Sequence, residues 1–220
     1  MVDAVTPAEQ PRRRGRPTTP LLSQEKITQA AVELINLRGY AALTMSALAR
    51  RLEVAPSALY NHVKSKRQLL LWIQDHVNME IDCSDFGVRP WDVALESWAR
   101  SYRDAYARHS PLVPVIAVTP IAGSPHTVAM YERVAAGLRA GGWPDDQVMD
   151  VVVAVESFVL GSALDVTAPD DIFDVPSDQA PVLAEVVGAR VGRDAARAAF
   201  DLGLATVLAG LRDRLKALGG

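Results

Sequence analysis

Four arginines, Arg12, Arg13, Arg14 and Arg16, fall within five residues near the start of a 220-residue chain whose formal net charge is −3. Further along, Ser57, Tyr60, Asn61 and His62 lie close together, and Lys64, Lys66 and Arg67 follow at once. Guanidinium and ammonium groups neutralise phosphates, while short hydroxyl, amide and imidazole side chains can hydrogen-bond base edges. Both clusters point to contact with a nucleic acid. The charge distribution agrees: residues 1–67 carry 11 Lys and Arg against 5 Asp and Glu, whereas residues 68–220 carry 12 against 21. A basic end on an acidic body meets a polyanion at one end and stays off it at the other.

Other chemistries find no support. There is no Gly-x-Ser-x-Gly elbow, no phosphate-binding glycine loop and no His/carboxylate metal spacing, and His62, His76, His109 and His126 are scattered. The expectation is therefore no enzyme, no cofactor and no metal centre. The single cysteine, Cys83, excludes an internal disulfide framework and favours a reducing compartment. Residues 1–20 lack the apolar core of a secretory signal. The most apolar run, Val151 to Leu164, is broken by Glu156 and is shorter than the roughly 20 residues that span a bilayer. A soluble, cytoplasmic protein with no membrane partner is expected.

The elements that must position these groups read as helices throughout. Residues 1–22 form a disordered basic arm without periodicity. Ser23 is an N-cap, and Ile27, Ala30, Ala31, Leu34 and Ile35 then follow the spacing of an amphipathic helix that ends at Gly39. Thr44 caps a second, short helix with Met45, Leu48, Ala49 and Leu52 inward. After "EVAP", Pro56 opens a third, "PSALYNHV", and Ser65 with Gln68 makes a capping box at the fourth. A long supporting helix before two short ones joined by a tight turn is the helix-turn-helix arrangement. Residues 23–68 are assigned to that unit and 69–220 to a larger helical domain. In the latter, helical stripes run through Trp91 to Tyr106, Met130 to Leu138, Val148 to Val166 and Ala195 to Leu215. The expected fold is all-α, with about nine or ten helices.

The stretch "LTMSALARRLEVAPSALYNHVKSKRQLL", Leu43 to Leu70, resembles the N-terminal signature of the tetracycline-repressor (TetR) family of bacterial regulators. "WDVALESWARSYRDAYARH", "LRAGGWPDDQV", "FVLGSALD" and "FDLGLATVLAGL" extend the likeness into the C-terminal domain of the tetracycline repressors. The resemblance implies a homodimer that binds double-stranded operator DNA and a small-molecule effector, most simply a repressor released from a palindromic operator. One departure is Glu53, where the family turn usually has Gly; a left-handed non-Gly residue there costs about 1 kcal/mol.

Carried over residue by residue, the resemblance implies that Thr44 contacts phosphate and that Tyr60, His62 and Lys66 position the recognition helix. Base reading falls to Ser57, Ala58 and Asn61, the last suited to adenine. "Arg-Gly-Arg-Pro" is similar to the core of an AT-hook, so the arm either enters a narrow A·T-rich minor groove or neutralises phosphates only. At the positions where tetracycline repressors hold drug and magnesium, this chain has Asp82, Trp98, Tyr102, Ile116, Thr119 and Asp165. Both metal-site and drug-site histidines are missing, which disfavours a magnesium–tetracycline chelate. Met130, Glu132, Glu156 and Phe158 complete the expected pocket, which suits a small apolar or aromatic ligand with one or two hydrogen-bonding or cationic points. The aromatic stripe is equally readable as plain core, and Glu156 as a group at the dimer seam. Dimerisation is assigned to Val148–Val166 and Ala195–Leu215, whose Ala154, Gly161, Ala163, Gly203 and Gly210 allow close helix approach. A DNA-architectural protein without an effector is the competing reading.

Overall fold

The computed structural model describes residues 22–190 and 194–219; Arg12, Arg13, Arg14 and Arg16 lie outside them. Ten α-helices follow in order: α1 (Gln24–Arg38), α2 (Met45–Arg51), α3 (Pro56–Tyr60), α4 (Lys66–Asn78), α5 (Trp91–Arg108), α6 (Val113–Ile116), α7 (Pro125–Ala140), α8 (Asp145–Asp165), α9 (Pro181–Gly188) and α10 (Ala195–Leu218). No strand occurs among the described residues; Phe86 and Arg89 make one isolated bridge.

Helix starts follow local chemistry. Ser23 Oγ accepts the Lys26 N–H at 3.2 Å, and Thr44 Oγ1 accepts that of Ala47 at 3.1 Å. Ser65 Oγ accepts the Gln68 N–H at 3.1 Å, and Gln68 Oε1 reaches back to the Lys64 N–H at 2.8 Å, closing the box one residue earlier than the usual pattern. Gly39 ends α1 at φ 77 and ψ 164, an extended positive-φ conformation reserved for glycine and distinct from the left-handed conformation of the common C-cap. The third helix is shorter than "PSALYNHV" suggests. It ends at Tyr60, with Asn61 as its C-cap. Ser124 stands at the N-cap position before Pro125, yet its buried hydroxyl donates to the Leu71 carbonyl at 3.1 Å, so it ties α7 to α4 instead of capping α7.

Leu48, Leu59, Val63 and Leu69 are fully buried in one core, in which α2 packs on α3 and α1, and α1 packs across α4. Beyond α4, α5 and α8 form the most extensive helix pair, flanked by α7 and α10. Trp98, Tyr106, Leu95 and Leu138 are fully enclosed there. The apolar run in α8 needs one correction. The helix extends back to Asp145 and is 21 residues long, which by length and composition would suffice to cross a bilayer. Its Val151, Val152, Val155, Val159 and Ala163 are instead buried in the helical core.

Candidate nucleic-acid interface and effector site

Between α2 and α3 the chain turns at Glu53, whose φ of 56 is the left-handed conformation that the resemblance places there. The turn holds α3 with Leu59 inward and Ser57, Tyr60, Asn61 and His62 exposed. Ala58 is half-buried and packs against the core, and Thr44 is exposed at the start of α2. Lys66 is half-buried, its Nζ 4.3 Å from the centroid of the Tyr40 ring. This cation–π contact braces α4 against the turn before α2. Lys64 Nζ lies 3.4 Å from the carbonyl oxygens of Tyr60 and Asn61, so a cation closes the C-terminal end of α3. The structure thus gathers Ser57, Tyr60, Asn61 and His62 on one exposed end of the molecule.

The interior of the larger domain is aromatic. Along α5, the ring centroids of Trp98 and Tyr102 are 5.2 Å apart, and those of Tyr102 and Tyr106 are 5.1 Å apart. Tyr102 donates its hydroxyl to Glu156 Oε1 at 2.8 Å, and Tyr131 from α7 donates to the same oxygen. Burial pushes the Glu156 carboxyl above its ordinary value, although both phenols pull it down. Burial, reinforced by the nearby carboxylate, raises both tyrosines in turn. Tyr106 donates to Asn78 Oδ1 at 2.7 Å, Asn78 Nδ2 donates to Thr127 Oγ1 at 3.0 Å, and Asp75 Oδ1 accepts the Thr127 N–H at 2.9 Å. A polar thread therefore runs from the row of tilted rings to α4, the helix that follows the helix-turn-helix unit. Trp98 is wholly buried with its Nε1–H unpartnered among the described residues.

The residues expected to line one pocket are divided between several places. Trp98, Tyr102, Ile116 and Met130 are buried, whereas Asp82 sits in an exposed turn accepting the Ser84 N–H, which holds its carboxyl low. Glu132 lies on the exposed face of α7. Its neighbour Tyr131 takes the inward position, because one residue step turns a helix by about 100°. Met130 borders an open groove of about 410 Å³ between α4 and α7, together with Asn78 and Cys83. Phe158 and the exposed Asp165 line a separate groove of about 400 Å³ between α8 and α10, where Phe158 stacks on Phe200 at 5.6 Å. Thr119 Oγ1 is committed to the Val115 carbonyl at 2.8 Å. With Ile116 buried where a ligating side chain would be needed, and no group of three His, Cys, Asp or Glu among the described residues placed to hold a metal, these residues do not fit a magnesium chelate.

Two further features are not apparent from the sequence. Asn36 Nδ2 on α1 is 2.9 Å from His109 Nδ1 after α5, and His109 Nε2 lies 3.4 Å from Glu80 Oε1. Burial opposes ionisation of Glu80, but its bonds to Arg108 and His109 outweigh it and lower its pKa. On the outer face of α8 and α10, Met149, Val153, Leu164 and Leu202 are exposed apolar side chains. Gly161 and Gly210 have open space where a Cβ would stand, but a Cβ on Gly203 would meet the Phe158 ring at 2.4 Å. Gly203 therefore serves packing within the chain, as does the buried Ala163.

Residues 27–73 match the family model described as bacterial regulatory proteins, tetR family, and residues 87–215 match that of the tetracyclin repressor-like, C-terminal domain. Over 153 residues the chain is 30% identical to the HTH-type transcriptional repressor DrrR1 of Streptomyces coeruleorubidus, covering 69% of this chain and 56% of the relative. The matched stretch is thus little more than half the length of DrrR1. Identity to tetracycline repressor protein class G of Vibrio anguillarum is 30% over 208 residues, 89% of this chain and 96% of that one. Among solved structures, apo ActR from Streptomyces coelicolor superposes with a TM-score of 0.75 at 25% identity, covering 91% of this chain and all of that one. ActR in complex with actinorhodin gives 0.70 at 25% identity, covering 86% and 95%.

Proposed function

The chain belongs to the tetR family of bacterial regulatory proteins, and from that premise we propose that it is a ligand-responsive transcriptional repressor. In this reading residues 23–68 bind DNA, residues 69–220 bind effector and dimerise, and the protein works in the cytoplasm. Ser57, Ala58 and Asn61 read bases; Thr44, Tyr60, His62 and Lys66 place α3 in the major groove; and the arm with Arg12, Arg13, Arg14 and Arg16 adds contacts beside it. The observation that carries the reading is α3 itself. It is held by the buried Leu59 and, after a tight turn, presents Ser57 and Tyr60 to solvent, with Asn61 and His62 exposed just past its end.

The apolar outer face of α8 and α10 supports a homodimer, because Met149, Val153, Leu164 and Leu202 are left uncovered by the single chain. Two recognition helices related by that dyad read a near-palindrome with half-sites about one helical turn apart. ActR is known with bound actinorhodin; here too a small, largely apolar or aromatic effector shifts the dimer to a form whose recognition helices are misplaced for DNA.

Nuclease footprinting on the DNA flanking the gene for this protein tests the reading. The expected result is one protected site with dyad symmetry. Uniform protection of unrelated DNA would favour an architectural role instead.

A further inference from the structure

Glu156 stands between the buried Val155 and Val159 along α8 but is drawn toward the aromatic interior, and the groups acting on it are the hydroxyls of Tyr102 and Tyr131. It forms no ion pair with a Lys, Arg or His among the described residues. One turn along α5 from Tyr102, the buried Trp98 keeps an N–H with no acceptor among the described residues. A carboxylate without a counter-charge and an indole donor without a partner are both costly in a core that exists only to be packed. Together, beside a row of closely packed, tilted rings, they mark a site that lacks its complement.

We propose that Glu156, Tyr131, Tyr102 and Trp98 form the polar subsite of the effector, and that the effector is a flat aromatic molecule carrying a protonated amine. The ammonium pairs with Glu156 and lies against the phenol rings, where the ring quadrupoles favour a cation. An acceptor on the ligand, such as a ring carbonyl, meets the Trp98 N–H. The way in is the open groove of about 410 Å³ that the unbranched Met130 borders. Entry there disturbs Asn78, which holds Tyr106, and so acts on α4. The proposal rests on the regulator reading above and specifies its ligand.

The test uses the full-length protein and two three-ring probes: 9-aminoacridine, which is cationic at neutral pH, and acridine, which is neutral. Calorimetric titration is expected to give at least tenfold tighter binding of 9-aminoacridine. Glu156→Gln, with unchanged helix content, abolishes that preference. In the wild type, acidification that protonates Glu156 weakens 9-aminoacridine binding, an arm that stands even if the variant does not fold. Equal binding of both probes, binding of neither, or a preference retained in Glu156→Gln overturns the subsite. DNA binding measured on the same preparations separates the two levels. A protein that holds DNA but fails these tests overturns the subsite alone, whereas one that binds no DNA overturns the regulator reading beneath it.

Discussion

Asn36 Nδ2 lies 2.9 Å from His109 Nδ1, a hydrogen bond joining the first helix of the DNA-facing unit to the end of α5 across 73 residues of sequence. His109 in turn sits beside Glu80 at the end of α4, which also pairs with Arg108. The turn Ser110–Leu112 packs on α1 at the same place. Besides the continuous α4, this junction joins the two parts of the molecule. Asn36→Ala is expected to cost little stability, about 1 kcal/mol, since the bond is exposed. It should reduce the coupling between effector and DNA by roughly 0.5–2 kcal/mol. DNA affinity measured with and without effector checks this; unchanged coupling would show that the Asn36–His109 contact does not carry the signal.

Glu156 sets a pH dependence of definite sign. Its carboxyl is raised above 4.5 in the folded chain, mainly by burial, so the folded state holds the proton more tightly than the unfolded state. As pH rises through 4.5 the unfolded chain ionises first, and stability falls until the folded pKa is passed. Urea midpoints of the wild type relative to Glu156→Gln should therefore decline from acid toward neutral pH. A constant difference would mean that Glu156 ionises equally in both states.

Gly203 and Val153 separate folding from assembly. A Cβ at 203 would stand 2.4 Å from the Phe158 ring, which is stacked on Phe200 and cannot easily withdraw. Gly203→Ala should destabilise the chain by roughly 1–3 kcal/mol, with relief from Phe158→Leu. Val153 is exposed on α8, so Val153→Arg should alter single-chain stability by no more than about 0.5 kcal/mol while dissociating the proposed dimer. Thermal unfolding and sedimentation read the two effects; a variant that unfolds without dissociating would place position 153 inside the fold.

The groups proposed to meet DNA differ in kind. Asn61→Ala should weaken binding to the specific site by roughly 1–3 kcal/mol and leave random DNA nearly unaffected. Replacing Arg12, Arg13, Arg14 and Arg16 by Ala should weaken both and flatten the salt dependence by about 0.9 in log–log slope for each phosphate no longer neutralised. Affinities over a salt series check this, and an unchanged slope would remove the arm from the interface.

Local chemistry is legible in the sequence where neighbours in the chain decide it. Ser65 and Gln68 announce their own capping box, Pro56 opens α3, and Glu53 occupies the left-handed position despite lacking glycine's freedom. Packing between helices is not. Tyr131 and Glu156 are 25 residues apart and meet only once α7 is laid on α8, so the sequence points to the exposed Glu132 in place of the inward Tyr131. Gly203 reads as a seam residue because helical spacing does not tell a partner subunit from the Phe158 ring of the same chain.

The most direct measurement follows the anisotropy of labelled DNA flanking the gene, bound to the full-length protein, as aromatic and amine compounds are added. A compound that also binds the protein alone is predicted to lower DNA affinity by roughly tenfold or more, and the DNA must then weaken that compound's binding by the same factor. If every compound that binds the protein leaves DNA affinity unchanged, the molecule is not a ligand-controlled repressor.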